Sequence, residues 1–265
     1  MKITVVTVAF NAQDTIAGTI ASVAAQRGVE VEHLVIDGAS TDRTVETVKA
    51  AARPGLRLVS EPDAGLYDAM NKGLRLATGD AVGFLNADDF FCRTDALALI
   101  AAAFARSSAD AVSASVAIVD AADTARVVRA YGARHFAPWM LHFAHMPPHP
   151  GLYVRTPAAV RVGEFDTRYR IAADFDWLVR FYLTLGLRSA ALADTIVAMR
   201  QGGASQQGLA SAATVSRESG QSLSRNSRLS APPLFWLKYA VKAFQLLARP
   251  ADFPAPTAVR WPPAA

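Results

Sequence analysis

Apolar and polar positions along the first ninety residues alternate between two periods. Lys2–Ala9 reads KITVVTVA, an almost unbroken β-branched run, the pattern of a parallel strand covered on both faces. Ile16, Ile20, Val23 and Ala24 then recur at i, i+4, i+7 and i+8, which predicts a helix with one apolar face, and Asn11 is placed to cap it. A second strand is predicted over 31–36, ending at Asp37-Gly38. Ser40 or Thr41 then caps a helix carrying Val45 and Val48. Leu56–Ser60 predicts a third strand, 67–77 a helix, and 81–85 a fourth strand that runs into Asn86-Ala87-Asp88-Asp89.

Strands alternating with helices of this length imply βαβ units and a parallel sheet whose carboxyl ends gather ligand-binding residues. Polar residues sit at those ends: 7–11 after the first strand, Asp37 after the second, Asp88 and Asp89 after the fourth. Beyond about residue 108 the alternation fades into strands near 110–118, 126–131 and Leu152–Arg155, a helix over 173–185 and a strand near 196–199. Neither a repeat nor a linker divides the body. The expected fold class is α/β, with a mostly parallel central sheet and helices on both faces.

Composition narrows the class. The 265 residues are 52% hydrophobic and 19% charged, which excludes a disordered chain, a collagen-like rod and a coiled coil. The single cysteine, Cys92, excludes a disulfide framework and a cysteine zinc site, and suits a reduced compartment. Ile3 to Phe10 is short for a secretory core, and no run reaches the ~18 apolar residues of a spanning helix. A cytoplasmic protein is expected. The net charge of +4 is carried by the end of the chain, where seven Lys/Arg from Arg217 onward face two Asp/Glu. The near-neutral body lacks the basic face of a nucleic-acid binder. Missing motifs exclude more: there is no G-x-G-x-x-G after the first strand, no P-loop and no G-x-S-x-G elbow.

Two sites carry candidate chemistry. Asp88 and Asp89 lie where the apolar strand with Val82, Phe84 and Leu85 runs out, and adjacent carboxylates repel unless a cation or donors hold them. Oxygen ligands of this kind suit Mg²⁺ or Mn²⁺, bound by one or two carboxylates plus substrate phosphates. The plainer alternative is that one of them caps a helix beginning near Thr94. In the later helix, Phe175, Leu178, Val179 and Tyr182 form the buried stripe, and Asp176 and Arg180 are expected to pair on the outer face. Asp174 lies on the other flank with no opposite charge at i+3 or i+4. It reads as a general base, or as an acid favoured at a helix start. His142, His145 and His149 lack zinc-ligand spacing, because Met146-Pro-Pro-His-Pro150 breaks any helix there. Gly202-Gly-Ala-Ser205 reads as a mobile lid or a simple connection.

After Pro232-Pro233, the run LFWLKYAVKAFQLLAR sets Lys238, Lys242, Gln245 and Arg249 on one narrow polar stripe of a helix over about 233–249. Contact with a membrane interface is expected of it, with docking on the body as the alternative.

The ordered segments VTVAFNAQDT, VIDGASTDRT and SEPDAGLYDAMNKGLRLATGDAVGFLNADD resemble those of the family 2 inverting glycosyltransferases of the GT-A fold. They are similar to bacterial enzymes that assemble colanic acid and other exopolysaccharides. The likeness is dense over 1–91 and weaker to about 205. It implies a nucleotide-diphospho-sugar transferase domain over 1–215, with a nucleotide-sugar half (1–91), an acceptor half (92–215) and a basic tail (216–265). By the same resemblance Thr7, Ala9 and Asn11 line a base pocket, Asp37 bonds a pyrimidine, and Asn71 and Gly73 sit near the nucleotide.

Asp88 matches the metal-binding end of the family's Asp-x-Asp, holding Mn²⁺ or Mg²⁺ with Asp89 beside it, whereas the first position is Asn86 here. HPGLYVR is similar to the family's His-Gln-x-Phe-x-Arg, with Pro150 for Gln, and puts His149 at the diphosphate. The family's Glu-Asp aligns its Asp with Asp174, the implied base, and its Glu with Ala173. A nucleotide sugar donor, such as a UDP-sugar, and a glycan or lipid-linked saccharide acceptor at the inner face of the cell membrane are the implied partners. Two other readings stand beside this one. A sugar nucleotidyltransferase would need a Gly-rich triphosphate loop near the amino terminus, and none is visible. A silent nucleotide-sugar sensor or scaffold draws on Asn86 and Ala173 but is opposed by Asp88, Asp89 and Asp174.

Overall fold

In the computed structural model, which describes residues 1–132, 134, 136–202 and 209–227, β1 (Lys2–Ala9) is the spine of the first half. It runs parallel to β2 (Glu30–Asp37) along all eight residues and to β4 (Ala81–Phe84) on its other edge, and β3 (Leu56–Ser60) lies parallel beyond β2. Residues 3–9 are all buried. The unbroken apolar run anticipates this, because α3 (Leu66–Leu76) covers one face of these strands while α1 (Ile16–Ala24) and α2 (Thr44–Ala50) cover the other. Register brings the strand ends together: Ala9 lies opposite Asp37, and Asp37 opposite Ser60.

The second half adds β5 (Phe90–Phe91), α4 (Ala96–Ala105), β6 (Ala111–Val119), β7 (Val127–Tyr131), β8 (Leu152–Arg155), α5 (Thr156–Val162), α6 (Ala173–Val179), β9 (Ser189–Arg200) and α7 (Leu209–Asn226). Among the described residues the strands form one sheet in the order β3-β2-β1-β4-β8-β6-β9-β5, with β7 on β6. β8 joins the halves antiparallel to both β4 and β6, in three-residue ladders. The long ladders, β1 with β2 and β6 with β9, are parallel, so the sheet is mostly parallel as expected.

Apolar clusters lie on both faces. One joins Val6, Val82 and Phe84 to Met70, Phe175 and Leu178; the other joins Ile3, Val5 and Val112 to Leu97, Ile100 and Phe104. Within the first, Tyr67, Phe165, Trp177 and Phe181 stack in sequence with centroids 5.9, 5.8 and 5.6 Å apart, tying α3 to α6.

Several local expectations are corrected. Asn11 does not cap α1. It adopts φ 49°, a left-handed conformation that Asn tolerates, and its Oδ1 accepts the Thr41 N–H at 2.9 Å while its own N–H donates to Ser40 Oγ at 2.8 Å. Neither Ser40 nor Thr41 caps α2, which starts at Thr44 with its N–H on Asp42 Oδ1. The helix predicted over 173–185 ends at Val179 and widens into a π-helical turn, Arg180–Thr184, closed by the Leu185 N–H on the Arg180 carbonyl. The division drawn at residue 215 falls inside α7, whose Glu218, Ser219, Ser222 and Leu223 are buried against the body.

Among the described residues no helix is long and apolar enough to cross a membrane. The segment 233–249, and the glycine loop beyond Gly202, lie outside the described residues.

Candidate functional site

At the end of β2 the Asp37 carboxylate is buried and held by three donors: the Ser40 N–H at 3.0 Å, the Ser40 hydroxyl, and the Ser60 hydroxyl at 2.7 Å. Ala9 and Asn11 stand beside it, because Asn11 grips the same loop through Ser40 and Thr41. Phe10, between them in the chain, is 65% exposed. Thr7 is a correction. It is buried beneath this edge, with Oγ1 3.0 Å from Nε2 of the equally buried His33, and so does not face an open pocket.

Asn71 and Gly73 are also turned inward. The Asn71 amide donates to the Phe165 carbonyl at 2.9 Å and accepts the Phe165 N–H at 2.7 Å, so it is committed to the main chain of the aromatic stack. Gly73 lies against β1 so closely that a Cβ there would meet Val6 Cγ1 at 2.2 Å. Both act in helix-on-sheet packing rather than through a side chain offered to a nucleotide.

After β4 the chain turns through Asn86 to Asp89. Thr19 Oγ1 lies 2.9 Å from the Ala87 carbonyl and 2.7 Å from that of Asp89, pinning the turn to α1. Asp89 is buried, its Oδ2 has no partner, and burial together with the adjacent Asp88 pushes its carboxyl well above the usual range. Asp88 is half-buried and raised by burial, with Arg200 opposing the rise. The Arg200 guanidinium donates to the Asp88 carbonyl and lies 5.1 Å over the Phe90 ring.

The helix-cap alternative for the two acids fails, since α4 begins at Ala96 behind Asp95. Asp88 and Arg200 instead line an open cleft of about 500 Å³ with Asp14, Thr15, Thr124 and Gly202. An unpartnered buried carboxylate oxygen next to a half-exposed carboxylate fits a divalent cation. Among the described residues no three His, Cys, Asp or Glu form a closed cage, so substrate oxygens would have to complete its coordination.

Asp174 sits in the first turn of α6. Its Oδ1 accepts the Phe175 N–H at 2.7 Å and lies 3.4 Å from the Tyr67 hydroxyl, which itself donates to the Ile171 carbonyl. Burial raises its carboxyl to about 6 against the pull of these donors, and Glu218 adds to the rise. Asp176 departs from the expected outer-face pairing. It bonds Arg180 at 2.9 Å but is buried under α7, where Ser222 Oγ and Asn226 Nδ2 donate to its other oxygen at 2.7 and 3.0 Å. Arg180 then reaches the carbonyls of Val162 and Glu164.

On β7, burial pushes the Tyr131 hydroxyl up to about 12, and the charges of Asp89 and Asp174 add to the rise. His149 stacks on Phe84 with centroids 5.6 Å apart and stands edge-on to Phe165, where burial lowers it to about 4. That setting is apolar and leaves the ring packed against Phe84 at the end of β4.

Tyr67, Tyr131, Arg200 and Glu218 escaped the sequence reading. Glu218 accepts three main-chain N–H groups from the segment before α6, and its only trace in the sequence is a polar helical spacing with Ser219, Ser222 and Asn226.

Comparison with known proteins agrees with this layout. The family model described as glycosyl transferase family 2 matches residues 4–155. An uncharacterized glycosyltransferase of Mycobacterium tuberculosis is 31% identical over 182 residues, covering 67% of this chain and 68% of the relative. In structure, TarS 1–349 of S. aureus in complex with UDP-GlcNAc aligns with a TM-score of 0.66 at 20% identity, over 93% of this chain and 72% of that one. The longer TarS chain is spanned over 44% of its length. The mannosyltransferase PcManGT from Pyrobaculum calidifontis, in complex with GDP-Man and Mn²⁺, aligns with a TM-score of 0.62 at 23% identity, over 97% and 73%. At these identities the structural likeness establishes the GT-A fold.

Proposed function

The chain belongs to glycosyl transferase family 2, and from that premise we propose that it moves a sugar from a nucleoside diphosphate donor, a UDP-sugar, to a hydroxyl of a glycan or lipid-linked saccharide with inversion. The observation that carries this reading is Asp174: a carboxylate raised to about 6 by burial, with no cation paired to it among the described ion pairs. A base of that kind is matched to neutral pH.

In the transfer, the acceptor oxygen attacks the anomeric carbon from the face opposite the diphosphate. The new C–O bond forms as the bond to the diphosphate oxygen breaks, the acceptor proton passes to Asp174, and the nucleoside diphosphate departs. Asp37, Ala9 and Asn11 support base and ribose binding at the β1–β2 edge. Asp88 would hold Mn²⁺ or Mg²⁺, with Asp89 behind it, and such an ion, when bound, stabilises the charge of the leaving diphosphate. Arg200 adds a fixed positive charge on the same side of the cleft. His149 serves as a neutral ring near the end of β4 rather than as a charged ligand. The apolar 233–249 segment with its lysine stripe supports contact with an anionic membrane surface, which would bring a lipid-linked acceptor to the site.

Calorimetric titration with UDP, with and without Mn²⁺, tests the donor assignment. Metal-dependent binding that Asp88→Ala abolishes is expected. Absence of UDP binding under every condition would remove the uridine donor, and donor binding without any consumption would favour a sensor.

A further inference from the structure

We propose that Glu218, on α7, is a positioning residue that sets the Asp174 carboxyl by holding the main chain that leads into α6. The inference rests on the reading of Asp174 as the base. Glu218 is 5% exposed, and its two oxygens accept the N–H groups of Arg170, Ile171 and Ala172, each at 3.0 Å. These groups precede a helix whose start has no side-chain cap of its own, so a carboxylate from another helix fills that role.

The Ile171 residue is thereby gripped at both ends. Its N–H goes to Glu218, and its carbonyl accepts from the Tyr67 hydroxyl, which also stands 3.4 Å from Asp174 Oδ1. Two side chains from two other helices thus fix one short segment, and Asp174 is the first acid beyond it.

A purely structural clamp has no need of a full charge. Among the described residues no Lys or Arg side chain bridges Glu218, and a buried carboxylate compensated only by peptide dipoles is expensive. Its charge is felt at Asp174, where it favours the protonated form. The groups facing Asp174 from every packed element are consistent with this role: Tyr67 from α3 and the Phe175 N–H from α6 oppose the rise, Glu218 from α7 supports it, and Tyr131 from β7 shares the field. Asp176 and Arg180 are paired with each other, and Ser222 and Asn226 of α7 take up Asp176. α7 therefore grips α6 twice, once by its flank and once, through Glu218, at the end that bears Asp174.

The test is an NMR titration of the Asp174 carboxyl carbon in the full chain, assigned by its loss in Asp174→Asn. For Glu218→Gln, nearly the same shape without the charge, the midpoint should fall. For Tyr67→Phe it should rise, because a polar group that favours the ionised form is removed. Ser222→Ala, which releases only Asp176, should leave it in place. An unmoved midpoint in Glu218→Gln overturns the proposal. If that variant does not fold, Glu218→Ala takes its place, and an unmoved midpoint there overturns the proposal instead. Once donor and acceptor are in hand, Glu218→Gln should lower kcat about tenfold with the donor KM little changed, as misorientation of a reacting group does. Full transfer by Asp174→Asn would sink the base assignment whatever the titrations show. An inactive Asp174→Asn with Glu218→Gln indistinguishable from wild type would sink this proposal alone.

Discussion

Tyr67 and Asp174 stand 107 residues apart in the chain and meet with the hydroxyl 3.4 Å from the carboxylate oxygen. The contact joins α3, the helix after β3, to α6, the helix that carries the candidate base. Burial holds the Tyr67 phenol far above its ordinary range, so it stays a neutral donor throughout the working pH. The acid can lose its proton while its neighbour cannot, and that asymmetry is what a proton acceptor requires.

Replacing Asp174 by Asn should therefore reduce transfer by ~10² or more while UDP affinity stays within about twofold of wild type. Steady-state transfer and calorimetry on the same preparation check both halves of the expectation. Near-normal transfer would take Asp174 out of the mechanism.

The pH dependence has a definite sign. With the folded-state midpoint raised to about 6, transfer should fall as pH drops through 6, because the base becomes protonated. Stability runs the other way. A raised carboxyl contributes stability that is fully present below the unfolded value and is lost as pH rises through the folded one. Asp174→Asn should accordingly be more stable than wild type at pH 8, by on the order of 2 kcal/mol, and indistinguishable from it near pH 3.5. Denaturant unfolding at the two pH values measures the difference. Equal gains at both would show that burial does not penalise the ionised form.

Asn71→Ala removes both halves of the clamp on Phe165 and leaves a buried N–H and carbonyl unpaired. A loss of about 2–4 kcal/mol in unfolding free energy is expected. UDP affinity should change by less than about threefold. A large loss of affinity with stability intact would return Asn71 to the nucleotide site.

Gly73→Ala places a methyl group 2.2 Å from Val6 Cγ1, in a strand that cannot retreat because it is buried on both faces. Overpacking of about 1–3 kcal/mol follows, seen as a lowered denaturation midpoint. An unchanged midpoint would mean that α3 lifts from the sheet at little cost.

How much was legible depends on how local the signal is. β1, β3 and β8 coincide with their predicted limits, because each is an apolar run bounded by turn residues. Asp37, Asp88 and Asp89 were legible as strand-end acids for the same reason. The inward position of Asn71 follows from the helical period: with Tyr67, Met70 and Leu74 it forms the i, i+3, i+4, i+7 stripe that α3 turns to the sheet. α7 was not legible at all. Among its described positions the buried ones are Glu218, Ser219, Ser222 and Leu223, of which three are polar, so hydropathy does not mark the inward face. The outer-face placement of Asp176 and Arg180 failed with it, since only α7 makes that flank an interior.

A helix seated by directed bonds rather than by apolar area detaches more readily than its length suggests, because each bond gained on docking replaces one to water. In amide hydrogen exchange, Arg170, Ile171 and Ala172 should therefore open together with α7 as one cooperative unit. By thermodynamic linkage, anything that binds only the docked helix adds its free energy to the ordered state of Asp174. Helix α7 and the acid at the start of α6 then share a single folding equilibrium.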